Sequence, residues 1–90
     1  MKVIKLSGRE RSVLRAIDFA NATPASDILA TTRLEPSDMV DILNGLTDVG
    51  YVEPVPYVDS IGVEQIETHS YEVNPSYAQQ LRNAMRKSWA

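Results

Sequence analysis

Ninety residues with 43% hydrophobic and 23% charged side chains fit one globular domain, too small to hold both a core and an elaborate catalytic cleft. The chain has no cysteine, which excludes disulfides, thiolate chemistry and thiolate metal sites. Charge is uneven: residues 1–33 hold six basic and three acidic side chains, residues 34–81 hold nine acids and no lysine or arginine, and residues 82–90 add three cations. The net charge of −3 therefore describes an acidic middle between two basic ends. No stretch approaches the roughly 20 apolar residues that span a bilayer. The apolar run within the first seven residues is too short for a signal peptide, so a cytoplasmic setting without membrane contact is expected.

Ser7 with Glu10 is a capping box, which predicts a helix from Gly8 with Val13, Leu14, Ile17 and Ala20 inward and an end near Asn21. Thr23-Pro24 reads as a second start, an N-cap followed by proline, for a short helix that buries Ala25, Ile28 and Leu29. A turn at Leu34–Ser37 leads to a third helix whose stripe is Met39, Ile42, Leu43, Leu46 and Val49, closed by Gly50. From Tyr51 to Val58 the residues are β-branched and aromatic, and Pro54 and Pro56 restrict that run to an edge or irregular strand. Asp59–Gly62 predicts a hairpin turn and Val63 to Val73 the return strand. Asn74-Pro75-Ser76 opens a last helix with Tyr77, Leu81, Ala84 and Met85 on one face.

Three segments together resemble the winged helix-turn-helix domains of bacterial and archaeal transcription regulators, in a MarR-like pattern. They are Leu6–Ile17, Leu34–Met39 continuing through Leu43, Leu46 and Gly50–Glu53, and Tyr71–Ser76 with Leu81. The resemblance implies a mostly α, α+β fold in a single domain, 1–90: a three-helix core, a two-stranded β-wing and a C-terminal helix. The helix-turn-helix would occupy about 24–50, the wing about 51–73 and the last helix about 76–89. Leu29 stands where alanine is usual, Thr32-Arg33 where Leu-Gly is usual, and Tyr77 where glycine is frequent, which implies a shifted turn.

Mapped by that resemblance, the exposed surface of the third helix is Ser37, Asp38, Val40, Asp41, Asn44 and Gly45, and the wing carries Asp59, Ser60, Ile61, Gly62 and Glu64. Base readout relies on Arg, Lys, Asn and Gln, and non-specific affinity on cations released against phosphate. Only Asn44 and Ser37 suit that task, so charge disfavours DNA. Two functions remain: a protein-interaction module that docks a basic partner or a second copy, and a DNA-binding regulator. Arg9, Arg11 and Arg15 on the first helix with Arg82, Arg86 and Lys87 on the last form a candidate basic patch, and Trp89 a candidate homodimer anchor. His69 stands alone and reads as a packing residue. No phosphate loop, nucleophile motif or ligand cluster is present, so neither catalysis, a cofactor nor a metal is expected.

Overall fold

In the structure, a computed structural model that describes residues 4–86, Ser7 and Glu10 form the expected reciprocal cap. The Ser7 hydroxyl accepts from the Glu10 amide at 3.1 Å, and the Glu10 carboxylate accepts from the Ser7 amide at 2.8 Å. Helix α1 (Gly8–Ala16) nevertheless stops well before Asn21. Ile17 is extended, the Asp18 amide donates to the Thr23 hydroxyl at 2.8 Å, and the Asp18 carboxylate accepts from the Ala20 amide at 2.7 Å. A short carboxylate that reaches an amide two residues on competes with the helical ladder and ends it.

Thr23 is therefore not a helix cap. Thr23–Pro24 form a short strand, β1, and α2 (Ala25–Thr32) starts without a side-chain cap. The Ala25 amide donates instead to the His69 carbonyl at 2.9 Å. Helix α2 ends at Arg33, whose left-handed φ of 58° brings its amide to the Leu29 carbonyl at 2.9 Å. Helix α3 (Pro36–Asp48) has proline in its first turn and finishes at Gly50, φ 86°, where the Gly50 and Tyr51 amides donate to the Thr47 and Leu46 carbonyls. The two left-handed residues carry opposite expectations. Gly50→Ala should cost about 1–2 kcal/mol, the penalty for a Cβ in that region. Arg33→Gly should instead add about 0.5–1 kcal/mol, after the entropy of a new glycine is set against the relieved strain. Chemical denaturation of both variants checks the signs.

Strands β2 (Val52–Val55) and β3 (Ser70–Val73) complete an antiparallel sheet of order β1-β3-β2, followed by α4 (Ala78–Arg86). The two strands expected from the sequence are thus three, because Thr23 pairs with Tyr71 and Pro24 with Ser70. Across the other side of β3, Val52 faces Val73, Glu53 faces Glu72, Pro54 faces Tyr71 and Val55 faces Ser70. The Asn74 amide donates to the Tyr51 carbonyl at 2.9 Å, which fixes the alternation along β2 and turns the Pro54 nitrogen away from β3. The Ala25–His69 bond does the same for Pro24 on the opposite edge. Each edge strand thus has a proline where an outward donor would stand, which blunts both edges against strand addition.

Asp59–Gly62 does not form a tight hairpin turn, and Val63–Ser70 is not one continuous strand. Residues 56–69 make a long connection with a 3-10 turn at Val63–Gln65, and Ile61 and Ile66 are buried in the core. Ile66 is out of step with the His69, Tyr71, Val73 alternation, so a strand through it would expose one side chain or the other. The core joins Val13, Leu14 and Ile17 of α1 and its exit to Ile28 of α2, Met39, Val40, Leu43 and Leu46 of α3, Val52, Tyr71 and Val73 of the sheet, and Leu81 of α4. Val49, expected in the α3 stripe, is 55% exposed, and Ala20 is exposed beyond the end of α1. Among the described residues no helix is long and apolar enough to cross a membrane. Lys87 and Trp89 lie outside the described residues.

Candidate functional site

Proline at the start and glycine at the end set α3 in place, and its outward residues are acidic or small. Ser37, Asp41 and Gly45 are exposed, and Asp38 is half-buried and paired with Arg9 of α1 at 3.6 Å. Val40, expected on that surface, is buried because the helix sits deep enough to bring a second row of side chains into the core. Asn44 is corrected too. Its side-chain amide donates to the Ile61 carbonyl at 3.0 Å, and its carbonyl oxygen accepts from the Ile61 amide at 2.9 Å. The carboxamide thus pairs with one residue as a neighbouring strand would, and holds the 56–69 connection against α3. The side chain best suited to read adenine is already spent inside the fold.

Of the expected tip of the wing, Asp59, Ser60 and Glu64 are exposed, Gly62 is half-buried and Ile61 is core. Tyr57, 66% exposed, donates its hydroxyl to Asp59 at 3.3 Å. The charge of Asp59, then partial burial and the charges of Glu53 and Asp48, hold that hydroxyl above the usual tyrosine value. Tyr57 thus stands beside the Asp59 carboxylate of the same connection.

The described members of the expected basic patch each make a contact of their own. Arg9 turns to Asp38, and Arg11 donates to the Leu6 carbonyl at 2.8 Å. Arg15 reaches the Met85 carbonyl at 3.5 Å, which places α1 beside the end of α4. Arg82 lies over the Phe19 ring, 4.9 Å from its centre, and Arg86 donates to Asn83 at 3.2 Å.

A shallow cavity of about 130 Å³ opens between the α1–β1 loop and the outer side of the sheet, lined by Asp18, Phe19, Asn21, Glu53, Glu72 and Pro75. The Ala20 amide and the Asn21 side chain hold the Asp18 carboxyl below its ordinary value. Glu53 and Glu72 are direct cross-strand partners, a like-charge pairing that weakens a sheet. The sequence does not show these residues as a site, because the register that joins positions 53 and 72 depends on a long connection of unforeseen shape.

On the buried side of β3, His69 Nε2 and the Tyr71 hydroxyl have no hydrogen-bond partner among the described residues, while His69 Nδ1 and the Thr68 hydroxyl are 2.9 Å apart. Burial pushes the Tyr71 hydroxyl from 10.0 to about 12. The folded chain therefore keeps this proton longer than the unfolded chain does. Stability held below pH 10 is lost as pH rises towards 12, at up to about 1.4 kcal/mol per unit. Tyr71→Phe should remove that share of the slope and leave stability at pH 7 equal or higher, since an unpaired buried hydroxyl is lost. Urea melts of both proteins at pH 7 and pH 11 test this.

Among the described residues no group of three His, Asp or Glu side chains is placed to hold a metal ion. No family model, curated protein or solved structure matches the chain, so the functional reading rests on its own residues and their geometry.

Proposed function

We propose that the chain is a winged-helix module that works by protein–protein contact, with the exposed acids of α3 and the following loops docking a basic partner. The helix order, the succession of α2 and α3, and the three-stranded sheet whose β2 and β3 follow them support the winged-helix reading. The observation that carries the functional reading is the Asn44–Ile61 pair. It removes the main base-reading side chain from the α3 surface and leaves Ser37, Asp41 and Asp48 outward, in a stretch with nine acids and no lysine or arginine. Phosphate contacts by cations supply most non-specific affinity for DNA; α3 carries none of its own, and Arg9 beside it is paired with Asp38.

At about 150 mM salt a labelled mixed-sequence duplex should bind no tighter than the non-specific range of roughly 10⁻⁴–10⁻⁶ M. Asp38→Asn with Asp41→Asn should tighten that binding by removing repulsion. Fluorescence anisotropy measures both. A nanomolar complex with a defined duplex, weakened by Ser37→Ala, would establish a DNA-binding regulator instead.

A further inference from the structure

Among the described residues, the outer side of the sheet is left exposed at Glu53, Val55 and Glu72. Val52, Pro54, Tyr71 and Val73 turn into the core, whereas Glu53, Val55 and Glu72 turn outward, and Val55 and Tyr57 are 42% and 66% exposed. Prolines blunt both sheet edges, so a partner meeting this face would be recognised by side chains and not by an added strand. We propose that this face, from the cavity at Asp18, Glu53 and Glu72 along β2 to Tyr57, docks a basic segment of a partner protein. One arginine enters the cavity and a second cation lies on the Tyr57 ring.

The charge arrangement selects that occupant. Three acidic residues, Asp18, Glu53 and Glu72, line a cavity of about 130 Å³, whose other walls include the apolar Phe19 and Pro75. A guanidinium with part of its stem matches this lining, since the planar head pairs with carboxylates while the methylenes lie on apolar walls. The volume is similar to that of a cavity of about 150 Å³ that accepts one benzene. Glu53 and Glu72 oppose each other, and among the described residues no cation is ion-paired with either or with Asp18. An arriving arginine converts that repulsion into attraction. At the other end, the Tyr57 ring is open to a cation, and the Asp59 carboxylate that accepts from its hydroxyl would add to the attraction.

The inference rests on the reading of the domain as a protein-interaction module, and it names the face and the partner chemistry. Amide NMR of the full chain, titrated with a short peptide bearing two separated arginines, tests it. Shifts should concentrate at Glu53, Val55, Tyr57 and Glu72 and saturate by about 1 mM, as for a small and weak contact. The same peptide with glutamine for arginine should leave the spectrum unchanged. Glu53→Gln with Glu72→Gln, and separately Tyr57→Ala, should each weaken binding by about fivefold or more without lowering the melting temperature. Three results overturn the proposal. Shifts confined to Ser37, Asp41 and their α3 neighbours would move the docking surface and leave the module reading intact. Equal response to the arginine and glutamine peptides, or no response to either, would remove the basic-segment site. Displacement of the arginine peptide by a tightly bound duplex would overturn this site and the module reading together.

Discussion

Leu43→Ala is expected to lower the unfolding free energy by about 2–5 kcal/mol, the range for a buried leucine whose cavity cannot fully collapse. Leu43 has no exposed surface and sits midway along α3, where α1, α2 and the sheet converge on the same cluster. A small domain has little reserve, so a loss at the upper end would leave much of the chain unfolded at ordinary temperature. Ile42, one residue earlier, is only half-buried and provides the internal control. Its alanine variant should cost clearly less. Guanidinium melts of the two variants measure the difference. A cost below about 1 kcal/mol at Leu43 would contradict the placement of α3 against the core.

Asn44→Ala should have the next largest effect, about 1–3 kcal/mol, because it leaves the amide and carbonyl of Ile61 without partners. The loss is twofold in kind. Two hydrogen bonds vanish, and the connection over 56–69 loses the contact that keeps Ile61 in the core. Hydrogen exchange at the Ile61 amide should therefore accelerate far more than at Leu46, which is held by α3 itself. Asn44→Asp separates the two bonds: a carboxylate still accepts from the Ile61 amide but faces its carbonyl without a donor. That variant should be at least as unstable as the alanine variant at pH 7 and should recover part of the loss at low pH, where the acid can donate. If Ile61 exchange stays unchanged in both, the clamp does not hold the connection. Because Asn44 is tied up in this way, its variants report on folding, and Ser37 is the better probe for any contact with DNA.

What the sequence by itself determined lies in signals that act over a few residues. Ser7 and Glu10 cap α1 because their side chains reach each other's amides across one turn. Pro36 and Gly50 bound α3 because a fixed φ and a free one act on their own positions. Pro54 confined β2 to an edge for the same local reason, the missing donor. The helical stripe of α3 predicted Met39, Leu43 and Leu46 as core.

Only the tertiary structure decided the rest, in each case through a partner distant in the chain. Thr23 looked like a helix cap, but its hydroxyl holds the Asp18 amide and its backbone pairs with Tyr71, so it became a strand. The second helix took its first hydrogen bond from the carbonyl of His69. Asn44 looked like an exposed reader of bases until Ile61 folded back on it, and Val40 looked exposed until the helix settled deeper than one stripe requires. The acidic cavity exists because the register sets Glu53 opposite Glu72 and brings the Asp18 loop beside them. Local dihedral preferences and caps are properties of short segments. Cross-strand register and the fold of a long connection are set by the balance of burial and hydrogen bonding over the whole chain, where an apolar residue out of phase, such as Ile66, shifts the outcome.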